Sequence, residues 1–243
     1  MSSWYGIYLK EMLIFKKRFT KFGYVFSVMI TPIIYLLVFG LGLGRWSSNG
    51  SYMDFLLIGL VMMSAMTNSY TWVCSSINIG KLMYKSFQIE LLSPISSEAL
   101  CFGYMLSGIT KGVIGGFLIF VVGIFFVENI NLSLYFLIAF ISDLIIFSLL
   151  GIIVGVFVKS HEEISMWNNF IITPMAFFSG TFFDISLYPD KIKFFIYIFP
   201  LTHINLVARS SEFSKCWISI LILILYCVVF MYLSNRVVKN YKE

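Results

Sequence analysis

Charge is what this sequence has least of. Only 12% of its 243 residues are Asp, Glu, Lys or Arg, where a soluble domain carries about 25%. That scarcity leaves no room for a separate soluble domain. Histidine is nearly absent as well, with only His161 and His203, set far apart in loops, and neither is read as functional. No GxxxxGK[ST] occurs, because Gly80-Lys81 is followed by Leu82, so nothing is built to cradle nucleotide phosphates. HExxH and GxSxG are missing too. The four cysteines, Cys74, Cys101, Cys216 and Cys227, show no metal spacing and no paired framework and are read as core residues. The first 21 residues mix Lys and Arg with aromatics and form no h-region of a cleavable signal. These absences exclude an enzyme, a bound cofactor and a metal centre. If the chain moves a solute uphill, the energy comes from a partner or from an ion gradient.

What fills the sequence instead is apolar. Hydrophobic residues make up 59% and the mean hydropathy is +0.91, the composition of an integral membrane protein. A span needs roughly 20 apolar residues. Six such runs lie at about 22–44, 54–80, 102–127, 132–158, 164–183 and 216–235. The net charge of +5 belongs to cytoplasmic loops that set orientation and is not a nucleic-acid signature. Ahead of the first run, residues 1–21 read as an amphipathic interfacial helix. Trp4, Tyr8, Met12, Phe15 and Phe19 fall on one face, and Lys10, Lys17 and Lys21 on the other. Such a helix lies in the headgroup plane against anionic lipid; the plainer reading is a basic leader that only sets topology. Residues 194–208 are apolar but only 15 long. With Pro189 before them and Pro200 near their middle, they are expected to form an external re-entrant hairpin. A seventh span would place the basic tail, Arg236, Lys239 and Lys242, outside, against the positive-inside bias. The expected fold is therefore an all-α integral membrane protein with an N-terminal interfacial helix (1–21) and a transmembrane domain (22–243). It has six transmembrane helices, the hairpin between the last two, and both termini cytoplasmic.

Several polar residues stand inside the apolar runs. Asn68 in the second run and Asn168 and Asn169 in the fifth are expected to face neighbouring helices or a cavity, as translocation candidates. Lys111 and Asp143 lie in the third and fourth runs at depths that differ by only ~8 Å. A buried pair between them would lower the cost of each charge. The alternative is that Lys111 reaches the inner surface and Asp143 carries a proton. Gly108, Gly112 and Gly116, and then Gly151 and Gly155, make two smooth strips where another helix can approach closely. The short loops 45–52 and 128–131 adjoin two glycosylation sequons, at Asn49 and Asn131, which are read as chance.

Residues 81–98 are the longest polar interruption. Within them Phe87-Gln-Ile-Glu-Leu-Leu92 reads as a short amphipathic helix, closed by Ser93-Pro94 because proline disfavours helical geometry in the residue before it. Ile89 and Leu92, three apart, share a face, with Leu91 beside them, and Glu90 points elsewhere. Such a helix caps the spans or hands force to another protein; the plainer reading is a solvated turn.

Three stretches, taken in order, carry a family likeness. They are Gly59-Leu-Val-Met-Met-Ser-Ala-Met-Thr-Asn68, then Glu90-Leu-Leu-Ser-Pro-Ile95, then Thr173-Pro-Met-Ala-Phe-Phe-Ser-Gly180 followed by Tyr188-Pro and Phe199-Pro-Leu-Thr202. Together they resemble the membrane subunit of an ABC exporter of the ABC-2 type. The likeness is nearest to small bacterial permeases for drugs and lipo-oligosaccharides, and it covers nearly the whole chain. It implies two six-span subunits paired, most simply as a homodimer, in a bacterial or archaeal plasma membrane. Each would contact a separate ATP-binding cassette subunit that uses ATP and Mg. Gln88, Ile89, Glu90, Leu91, Leu92 and Pro94 would form the coupling helix, with Glu90 at the family's acidic position. Ile89 departs from the second acid or polar residue that many members carry there. The family often has a basic residue where Lys111 stands. The implied function is export of an amphipathic, drug-like or lipid-linked solute. Alternatives are a polysaccharide or teichoic-acid permease, a gradient-driven carrier using Lys111 and Asp143, or a structural membrane subunit.

Overall fold

A computed structural model of the chain describes residues 3–20, 22–42, 51–127 and 133–241. The loops expected at 45–52 and 128–131, both sequons, and the basic residues Lys21 and Lys242 fall wholly or partly outside them. The elements are α1 (Ser3–Phe19), α2 (Phe22–Tyr35) running into a π-helical segment Leu36–Leu41, α3 (Ser51–Leu82), α4 (Ser86–Leu92), α5 (Ser97–Ile124) and α6 (Leu134–Phe157). Then come α7 (His161–Trp167), a π-helical segment Asn168–Ile172, α8 (Thr173–Phe178), α9 (Asp190–Ile196), α10 (Pro200–Ala208) and α11 (Phe213–Lys239).

The axis of the bundle is α3, packed between α5 and α6. Association of helices in lipid relies on close packing, which small residues allow. The two glycine strips meet this need. A Cβ on Gly108 would lie 2.3 Å from Ser148 Oγ and 2.7 Å from Val73 Cγ2, and one on Gly112 2.4 Å from Leu144 Cδ2. A Cβ on Gly151 would lie 2.7 Å from the Tyr70 carbonyl, and one on Gly155 3.1 Å from Cys74 Cα. The strips are thus the seats of α3, and of α5 against α6. Around this centre α1 packs on α5, α10 on α6 and α3, and α11 on α6. Cys74, Cys101 and Cys216 are buried, Cys227 is half-buried, and none is in a disulfide.

Among the described residues four helices are long and apolar enough to cross a membrane: Tyr52–Leu82, Ser97–Ile124, Leu134–Phe157 and Phe213–Lys239. The pair α9 and α10 meets the same measure only jointly, and it is bent by 96°. Length and composition therefore give four crossing helices, or five with the bent pair, where the sequence reading expected six. The two remaining runs are interrupted. Of the first, Val28–Gly40 is a shorter apolar helix. The run at 164–183 is split into α7, the π-helical segment and α8. Pro174 explains the second break: it offers no N–H to the preceding turn and its ring crowds the carbonyl four residues back, so the helix widens just before it. The hairpin prolines begin helices where the sequence reading placed Pro200 mid-segment. Pro189 precedes α9 and Pro200 is the first residue of α10, where a missing N–H costs nothing.

Candidate functional site

The short helix α4 is where the sequence reading is met most directly, since it ends at Leu92 and Ser93 turns extended before Pro94. It is joined to α3 by an elbow at Lys85, whose φ is +54°, a left-handed conformation that costs a non-glycine residue about 1 kcal/mol. Three contacts hold α4. Phe87 is fully buried, with its ring 5.6 Å from Tyr241 and 6.4 Å from Tyr104. Gln88 Nε2 donates to the Lys81 carbonyl at 3.0 Å. Glu90 accepts from Lys10 Nζ at 2.5 Å and from the Tyr104 hydroxyl at 2.8 Å. Glu90 is therefore turned into the chain, tying α4 to α1 and α5, and is not free to meet a partner as expected. Leu91 is half-buried against the same cluster. Ile89 and Leu92 remain outward, 65% and 88% exposed, as an apolar pair on an otherwise anchored helix.

Behind Glu90 lies a second acid that sequence reasoning overlooked. The buried stripe of α1 is Ile7, Glu11 and Phe15, of which only Phe15 belongs to the aromatic face expected to lie in lipid. Glu11 Oε2 pairs with Lys111 Nζ at 2.8 Å, both side chains 1% exposed. Its Oε1 accepts from Ser76 Oγ at 2.6 Å and lies 3.4 Å from Lys10 Nζ. Lys111 is thus engaged by Glu11, and the expected pair with Asp143 is not formed. Asp143 is fully buried and neither carboxylate oxygen has a hydrogen-bond partner among the described residues. The physical reason is that α1 covers the N-terminal half of α5 and supplies a nearer, hydrogen-bonded carboxylate. One signal was available in the sequence: Glu11 is the only acid in the first 53 residues. The carrier reading loses its paired site.

Burial pushes the Glu11 carboxyl up. The charges of Lys111 and Lys10 and the hydrogen bonds from Lys111 and Ser76 outweigh it, and the group lies below its ordinary value of 4.5. A lowered carboxylate contributes stability that is complete above the unfolded-state value and is lost as pH falls through the folded-state value. Melting in detergent should therefore show no loss from this site between pH 7 and 5 and a loss below 4.5, and Glu11→Gln should flatten that acid limb. An identical acid limb in the variant would remove Glu11 as its source.

On the other side of α3 a cleft of about 470 Å³ opens between α2, α3 and α8. The lining of α3 is a polar ladder, Ser64, Thr67, Asn68, Thr71 and Ser75, facing Val28, Tyr35, Ile172 and Phe177, with Arg18 at one end. Asn68 donates to the Ser64 carbonyl at 2.8 Å and packs where a Cβ on Gly115 would lie 2.5 Å from its Nδ2. Arg18 lies over the Trp72 ring at 5.4 Å, and Lys111 reaches the same ring at 5.2 Å. Such a wall, hydroxyl-rich on one side and aromatic on the other, accommodates an amphipathic molecule. Of the translocation candidates, Asn68 lines this cleft. Asn168 and Asn169 stand in the π-helical segment beside it and are not among its lining residues. Lys111 and Asp143 lie elsewhere.

The bent pair is held by an arginine that directly follows the apolar stretch 194–208. Arg209 donates to the carbonyls of Gly180 at 2.6 Å and Phe55 at 2.9 Å, with its guanidinium 3.5 Å from the Phe55 ring centroid. His203, expected in a loop, is buried in α10 and bonded to the Tyr197 carbonyl at 2.9 Å and to Ser219 Oγ at 3.2 Å.

A polytopic helical bundle, with a polar cleft on one side of its central helix and an anchored amphipathic helix at one end, defines a membrane protein of the permease class. The chain belongs to the ABC-2 type transporter family, whose model matches residues 10–213. It is similar to the inner membrane transport permease YadH of Escherichia coli (strain K12), 31% identical over 165 residues, which is 66% of this chain and 64% of that protein. The match thus spans less than two thirds of that permease's own length. Nodulation protein J of Rhizobium meliloti (strain 1021) is 26% identical over 98% of this chain and 93% of its own length. Nodulation protein J of Rhizobium leguminosarum bv. viciae is 24% identical over the same 98% of this chain.

Proposed function

We propose that the chain is the membrane subunit of an ATP-driven complex that exports an amphipathic, drug-like or lipid-linked solute, with ATP and Mg used by a separate ATP-binding cassette subunit. The observation that carries this reading is α4: a helix held on three sides that presents only Ile89 and Leu92 outward. An apolar pair on an anchored helix suits a groove on another protein and suits the passage of force. Movement of α4 would reach α1 and α5 through Glu90, Lys10 and Tyr104, and α3 through Gln88. The cleft along α3 is the candidate path for the solute. Affinity purification of the tagged chain from its own cells should recover an ATPase subunit, and solute should stimulate hydrolysis in proteoliposomes. Solute transport by the chain alone, driven by a proton gradient, would replace this reading with a carrier.

Two further parts of the proposal have their own tests. In the proposed topology the termini are cytoplasmic, α1 lies along the inner surface, and α9–α10 enter from outside and return there. Cysteines at Asp190 and Ser210 should then both react with an impermeant maleimide added outside. Labelling of Ser210→Cys only from the cytoplasm would sink this topology. A second copy is proposed to close the cleft, because the π-helical segment beside it turns a large apolar residue outward, with Phe170 81% exposed. A Phe170→Cys variant is expected to cross-link into dimers, whereas dimers formed only from α5 positions would rule out this boundary.

A further inference from the structure

At the end of the bundle opposite the hairpin, a second cavity of about 680 Å³ lies where α3, α6 and α11 all terminate, beside the elbow into α4. Its lining includes the basic residues Lys81, Lys85, Lys159 and Arg236 and, among the described residues, no acidic one. Three helix C-termini converge here, and their partial negative charge calls for cations. Lys81 answers that need: it is buried and its ammonium donates to the carbonyls of Val156, at 2.7 Å, and Val158. Glu163 is turned to the Lys159 backbone N–H at 2.8 Å and also acts on Lys81 through its charge. Lys159 and Arg236 themselves are exposed, and their side chains form no ion pair among the described residues. They are a cationic pair in excess of what the helix ends use.

The apolar part of the same wall gives the site its polarity. Phe157 precedes Lys159 by two residues and Leu233 precedes Arg236 by three. Both apolar side chains line the cavity and face outward, Phe157 60% and Leu233 36% exposed. On α6 and on α11 alike, the chain passes from an exposed apolar residue to a cation as it leaves the bundle. A free phosphate would use only the cations. A molecule with an anionic head and an acyl chain, standing parallel to the helices, uses both.

We propose that this cavity binds an acidic glycerophospholipid, its phosphate headgroup between Lys159 and Arg236 and its acyl chain against Phe157 and Leu233. Because Lys85 and Gln88 share the wall, an occupied site also buttresses the elbow from which α4 projects. The inference needs the chain to lie in a membrane, and holds whichever partner drives it and whichever way solute moves.

The test is the melting temperature of the purified full chain in non-ionic detergent, with phosphatidylglycerol, phosphatidylcholine or glycerol 3-phosphate added. Phosphatidylglycerol is expected to raise it by about 4 °C at saturating concentrations, and the other two to leave it unchanged. Lys159→Gln with Arg236→Gln should abolish the rise while leaving the melting temperature without lipid unaltered, since both side chains are exposed. Phe157→Ser, which leaves both cations in place, should reduce it. An equal rise with phosphatidylcholine, or a full rise in the double variant, would overturn the site. An equal rise with glycerol 3-phosphate would overturn the lipid as its ligand.

Discussion

Replacing Ile89 and Leu92 together by serine is expected to abolish recovery of the ATPase subunit while leaving the chain inserted, folded and unchanged in melting temperature. The two side chains are the outward apolar surface of α4, and serine there creates no cavity within the chain. Apolar anchors at the centre of an interface each contribute about 2 kcal/mol, so losing two weakens assembly on the order of 1,000-fold. Glu90→Ala is expected to behave differently. Its partners, Lys10 and Tyr104, lie in the same chain, so the ATPase should still bind while solute no longer stimulates hydrolysis. The split between assembly and stimulation is the readout. Full assembly and full transport by the serine double variant would leave α4 as an ordinary turn, and the ATP-driven reading would then rest on family membership alone.

Lys111→Met is expected to be among the most destabilising single changes in the chain. It strands Glu11, which is buried and keeps only Ser76 at 2.6 Å and Lys10 at 3.4 Å. Removing one partner of a buried pair costs about 3–5 kcal/mol, a fall in melting temperature of roughly 10 °C for a chain of this size. Combining Lys111→Met with Glu11→Leu should restore most of that loss, because an apolar pair of similar volume carries no stranded charge. Asp143→Asn should add independently to Lys111→Met, since residues without a shared contact are close to additive. A Lys111→Met chain that melts within about 1 °C of the parent, a shift expected only of a near-neutral change, would show that the Glu11 pair contributes nothing. Strong coupling to Asp143→Asn would return Lys111 to the partner the sequence suggested.

The comparison of expectation with structure turns on which signals are local. The end of α4 at Leu92 was legible because Pro94 acts on its immediate neighbour. The crossing helices α3, α5, α6 and α11 were legible as unbroken apolar runs, and the glycine strips as seats for other helices because their spacing follows the helical repeat. The breaks in the runs at 22–44 and 164–183 were harder to read. Pro32 and Pro174 stand inside those runs, but hydropathy averages over them and reports one continuous span. The cleft was half legible: Asn68 was read as facing helices or a cavity, but the walls that face it come from α2 and α8. The anchoring role of Arg209 was not legible because its acceptors are 29 and 154 residues distant.

The sequence by itself determined that this is a helical membrane protein, which residues make the helices smooth, and the family it belongs to. Those properties depend on composition and short-range periodicity, which each segment carries alone. Only the tertiary structure decided which acid Lys111 meets, that Glu90 is an internal tie and not an outward contact, and that α1 turns Glu11 inward. An ion pair between residues 100 apart depends on how helices are rotated about their axes. That rotation is settled by packing, through the glycine seats and the buried stripe of α1. The same rotation leaves Ile89 and Leu92 as the apolar face that α4 turns outward, where a partner can meet it.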